Sequence, residues 1–99
     1  MDRVHLERLL ISVGKRVFVE YFHRFADLRL RNSAVADMLP AEYTGKSRHS
    51  RTCHARRILR EGLAHQALRL IADSTRVAPE VAVQALELLT MTRTLGVPN

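Results

Sequence analysis

The sequence predicts an all-α fold, and three observations carry that reading. Apolar residues recur at spacings of three and four through most of the chain. Ala, Leu, Arg and Val dominate, and there are only three Pro and four Gly to interrupt helices. The one strand-like run, VFVEYF at 17–22, has no partner strand elsewhere. With 99 residues the chain forms one domain, 1–99, with room for a modest core. The expected architecture is a bundle of four to five helices. It includes a helix-turn-helix-like pair at about 33–39 and 48–61.

The first helical region runs from Asp2 to Asp27. Leu6, Leu10, Val13, Val17 and Tyr21 form one apolar stripe, and Phe18, Phe22 and Phe25 form a second beside it. With three phenylalanines, this region is expected to supply much of the core. Gly14 is the expected break into two helices, with Ser12 as the cap of the second. A short helix capped by Asn32 or Ser33 then runs to Leu39, facing Val35, Met38 and Leu39 inward. Pro40 stops it, because the residue before a proline avoids the helical region. AEYTGKS reads as a loop that flexes at Gly45.

The third helical region is capped by Ser47 or Ser50. Thr52, Ala55, Leu59, Leu63 and Leu70 fall on its apolar side. His49, Cys53, Arg56 and Arg60 fall on another side, with Arg57 next to them. Gly62 ends or bends this helix, and LAHQALRLIADS continues the pattern. The last helix starts at Pro79, which suits a first turn, with Glu80 at its positive dipole end. Val83, Leu86 and Leu89 or Thr90 are expected to pack inward. Gly96 and Pro98 close the fold.

Charge is concentrated in one place. Residues 43–60 hold Lys46, Arg48, Arg51, Arg56, Arg57 and Arg60 and no Asp or Glu. The remaining ten basic residues balance the ten acids, so this stretch carries the whole formal charge of +6. Such a patch points to an anionic partner, and nucleic acid is the commonest one.

Rival chemistries for this stretch fit less well. Gly45-Lys46-Ser47 matches the tail of a phosphate-binding loop, but Pro40 stands where the pattern needs its first Gly, and no buried strand precedes it. His49 and Cys53 have bidentate metal spacing, and His54 adjoins them. Yet Cys53 is the only Cys, His5, His23 and His65 show no matching spacing, and three arginines nearby disfavour a cation. Cys53 as a nucleophile lacks an orienting carboxylate and an oxyanion site. No enzyme activity, cofactor or metal is therefore expected. No run approaches a membrane span, and the N-terminus lacks the marks of a signal peptide. With no cysteine pair for an internal disulfide, a cytoplasmic protein without membrane contact is expected.

A short capped helix, a loop and a basic helix have the outline of a helix-turn-helix. The expected function is therefore a small DNA-binding regulator, DNA ahead of RNA. The contact residues are Lys46, Arg48, Arg51, Arg56, Arg57 and Arg60, assisted by the short donors Ser47, Ser50 and Thr52. Arg29 and Arg31 extend the patch. Few aromatics lie among these cations, which disfavours a base-stacking platform for single strands. The alternative is a non-catalytic interaction module or adaptor whose basic helix docks an acidic partner. The C-terminal helix is apolar around much of its circumference (Val81, Val83, Leu86, Leu88, Leu89, Met91), which predicts a homodimer.

Overall fold

The computed structural model describes residues 3–94 and contains seven helices and no strand among them. They are α1 (Arg3–Val13), α2 (Lys15–Glu20), α3 (Phe22–Ala26), α4 (Asn32–Met38), α5 (Gly45–Arg60), α6 (Ala64–Ala72) and α7 (Pro79–Thr94). The all-α class holds, with more and shorter helices than the periodicity implies. The expected stop at Gly96 and Pro98 lies outside the described residues.

The extra helices come from breaks within apolar stripes. Gly14 separates α1 from α2 at φ 93, a conformation that L side chains avoid. It serves as the cap of α2 itself, in place of Ser12. Tyr21 separates α2 from α3 at φ −110, ψ 16, and leaves the stripe in register, so Phe22 and Phe25 still reach the core. At the end of α5, Gly62 takes φ 72. Gly62 N–H donates to Leu59 O and Leu63 N–H to Ile58 O, both at 3.1 Å. This paired pattern closes the helix, and Leu63 and Ile58 are both buried in the same apolar cluster.

The basic helix sits in the middle of the fold. α5 packs against α1, α3, α4 and α6, while α7 packs against α2 and α6. Thr52, Ala55 and Ile58 are its buried residues. One cluster joins Leu6, Leu10, Val13, Phe18, Phe25, Val35, Ile58, Leu68, Ile71 and Val81. Phe18 is fully buried, with Phe22 edge-on at 5.7 Å and Phe25 stacked at 6.4 Å between ring centroids. The aromatic core therefore forms where the first apolar region predicts it.

In three helices the inward face differs from the expected one. Met38 is exposed and Ala36 takes the buried place beside Val35 and Leu39. In α7 the buried stripe is Val81, Ala85 and Leu88, so Val83 and Leu86 face outward, with Thr90 on the same exposed side. Of the predicted α5 side, Leu59 is only half-buried and Ile58 fills the core instead.

Gly14 supports a second contact besides its own turn. A Cβ built there stands 3.0 Å from Arg51 Nη1, which itself donates to Val13 O. Gly14→Ala is expected to lower stability by about 1–3 kcal/mol, combining a strained φ with displacement of Arg51. Urea unfolding followed by helical circular dichroism measures this; an unchanged midpoint would show that the turn tolerates a side chain.

Candidate nucleic-acid interface

Thr44 builds the start of the basic helix. Its hydroxyl accepts from Ser47 N–H at 3.0 Å, making Thr44 the N-cap in place of Ser47 or Ser50. Gly45 is the first helical residue and not a flexible loop point, so Gly45-Lys46-Ser47 is the first turn of α5. Residues 39–44 connect α4 to α5, and Tyr43 N–H donates to Pro40 O at 3.1 Å.

The basic residues divide by face. Lys46, His49, Ser50, Arg57 and Arg60 are exposed and share one side of the helix. Arg57 pairs with Glu61 at 3.3 Å on that side, a solvated i,i+4 contact of small energy. Lys46 and Arg60 make no ion pair or hydrogen bond with any described residue. His49, placed by its spacing on the basic side but not among the expected contact residues, belongs to this surface; its place three residues after Lys46 is the signal for it.

The other cations turn into the fold. Arg51 Nη1 donates to Val13 O at 2.6 Å and Arg51 Nε donates to Ser47 Oγ at 3.1 Å. The same guanidinium lies over the Tyr43 ring at 4.0 Å. Arg56 Nη1 donates to Asn32 Oδ1 at 2.9 Å, and its Nη2 donates to Asp27 O at 2.9 Å and Arg24 O at 3.4 Å. Val13 is the last residue of α1, and Arg24 and Asp27 lie at the end of α3. Both arginines therefore satisfy helix C-terminal carbonyls, where a cation also meets the negative end of the helix dipole.

Of the nine residues expected to share one contact surface, Lys46, Ser50, Arg57 and Arg60 are exposed on one side, and the other five are buried or half-buried. Arg51 and Arg56 are half-buried braces, and Thr52 is fully buried with its hydroxyl donating to Arg48 O at 2.9 Å. Ser47 is half-buried and accepts from Arg51. Arg48 is half-buried, and its Nε is enclosed without an acceptor. Asn32, expected as a cap of α4, spends its amide on Arg56 and on Cys53, whose Sγ is 3.8 Å from Nδ2.

The flanking loop is held by its own ion pair. Asp27 Oδ1 accepts from Arg29 N–H and Nε, each at 3.0 Å. The Arg29 guanidinium, hydrogen-bonded to the Asp27 side chain, holds that carboxyl below its ordinary range. A depressed carboxylate adds stability above its unfolded pKa and loses it as pH falls through the folded value, so this contact persists at neutral pH. Arg29 is thereby engaged, while Arg31 is exposed at the start of α4. Among the described residues, no three of His, Cys, Asp and Glu come together as a ligand set, and His49, Cys53 and His54 gain no fourth partner.

This division predicts separable effects. Arg51→Ala is expected to lower unfolding stability by about 1–3 kcal/mol, because Val13 O loses its donor, and Arg56→Ala by a similar amount, because Asn32 loses its partner and the guanidinium that joins α3 to α4 is gone. Lys46→Ala and Arg60→Ala are expected to stay within about 0.5 kcal/mol of wild type. Urea midpoints of the four variants decide it; equal midpoints would remove the distinction between brace and surface. No family model, curated protein or solved structure matches the chain.

Proposed function

We propose that the chain binds nucleic acid non-catalytically, DNA ahead of RNA, through the outer face of α5, and acts as a regulator. The observation that carries this reading is the exposed set Lys46, Arg57 and Arg60, with His49 and Ser50 among them, on a helix whose 43–60 segment has no acid. Phosphate contacts from such a face are sequence-independent and salt-sensitive. The packing of α4 on α5 supports a helix-turn-helix outline. The connection over 39–44 is longer than the tight turn of that motif, which favours a general grip on the backbone over a fixed operator geometry.

Pairing through α7 complements this arrangement. Val83 and Leu86 are 53% and 54% exposed on its outer side. α7 packs on α2 and α6, so a two-fold contact along this stripe leaves the outer face of α5 free. A homodimer would then present two basic helices to a symmetric site. Wild type is expected to sediment as a dimer at micromolar concentration, and Val83→Glu/Leu86→Glu as a folded monomer. A monomeric wild type would remove the dimer from this proposal.

Fluorescence anisotropy with random duplex DNA across a salt series tests the binding itself. Wild-type affinity is expected to fall steeply with salt. Lys46→Gln/Arg57→Gln/Arg60→Gln is expected to lower the slope of log K against log salt by about three, roughly one for each phosphate no longer neutralised. Absence of binding at low salt would sink the proposal and turn attention to an acidic protein as the partner of the same face.

A further inference from the structure

A cavity of about 680 Å³ opens between α3, α5 and α7. Its walls are mainly apolar, with Phe22, Phe25, Leu59 and Leu88 among them. Leu28 and Met91 also line it and are 87% and 44% exposed, so apolar surface is left open to solvent. Small-molecule sites share this character: about 300–1,000 Å³, largely apolar, with a few polar groups that fix orientation.

The formally charged side chains at this cavity are both arginines. Arg56 and Arg60 line it from α5, His23 from α3, and no Asp or Glu appears among the described residues around it. Arg56 is already bonded to Asn32 and two carbonyls. Arg60 is exposed and has no hydrogen bond or ion pair with any described residue. An apolar hollow beside a guanidinium with no partner among the described residues fits a molecule with an apolar body and one anionic end.

We propose that this cavity binds a small amphiphilic anion, a carboxylate carried on an aliphatic or aromatic body. The body lies against Phe22, Phe25, Leu59 and Leu88, and the carboxylate meets the Arg60 guanidinium, the side chain best suited to a two-pronged contact with it. Cys53 lines the same space and is the only cysteine in the chain, which makes it a built-in reporter of occupancy. The assignment does not depend on nucleic-acid binding, and its test contains no nucleic acid.

The experiment titrates the full chain with dodecanoate below its micellar concentration, by calorimetry, with dodecyltrimethylammonium in parallel. Alkylation of Cys53 by iodoacetamide is timed with and without dodecanoate. Dodecanoate is expected to bind at least about tenfold more tightly than the cation and to slow alkylation by about tenfold at saturation. Arg60→Gln is expected to remove the preference for the anion. Ala26→Trp, at an exposed position lining the cavity, is expected to abolish binding. Circular dichroism confirms that both variants keep the fold. The proposal is overturned if dodecanoate fails to bind at millimolar concentration, if both amphiphiles bind alike, if saturating dodecanoate leaves Cys53 alkylation unchanged, or if Ala26→Trp binds as wild type does.

Discussion

Two guanidinium groups on one helix hold the N-terminal half of the chain together. The helices α1 to α4 contain 11, 6, 5 and 7 residues, lengths at which isolated helices are marginal in water. Short helices also expose a large share of unpaired end carbonyls. Arg51 reaches the end of α1, and Arg56 reaches the end of α3 and the start of α4. Each offers several donors from one planar head, which a lysine cannot do. The central position of α5 follows from this: a helix packed among four others needs donors on several sides as well as an apolar stripe.

This arrangement explains why charge density alone misleads about surface. Residues 43–60 read as an amphipathic helix that turns all six cations to a partner, yet the face of each cation follows from helix phase. Lys46, Arg57 and Arg60 project outward, whereas Arg48 and Arg51 lie towards the packed side and Arg56 at its edge. The phase was partly legible in the sequence, because Thr52 and Ala55 mark the inner side, although Ile58 and not Leu59 completes it. The use of Arg51 and Arg56 was not, because their acceptors are backbone carbonyls 38 and 29 residues away, and a carbonyl leaves no trace in residue type. Gly14 was legible as a break. Its closeness to Arg51 depends on tertiary packing and was not.

The same distinction runs through the fold. Phe18, Phe22 and Phe25 were readable as core because a wide aromatic stripe has nowhere else to go. The inward face of α7 was not, since apolar residues occur around its circumference and periodicity cannot choose among them; the contact with α2 and α6 selects Val81, Ala85 and Leu88. Thr44 displaced Ser47 as the cap because its hydroxyl stands three residues before the amide that it accepts from, with Gly45 free to enter the helix. The cavity was invisible in sequence, since its walls come from segments some 60 residues apart that share no spacing.

Function, on this view, is arranged around one helix with separate sides. Its inner side closes the fold through Thr52, Ala55 and Ile58, and its arginine braces occupy the flanks. That leaves the outer side free of structural duty, so its cations can serve a partner without weakening the domain. Arg60 stands where the outer side meets the cavity, and it has no hydrogen bond or ion pair with any described residue. A carboxylate seated on Arg60 would withdraw one positive charge from the surface proposed to face nucleic acid. The two proposed partners would then oppose each other through a shared residue, with no conformational change required to couple them.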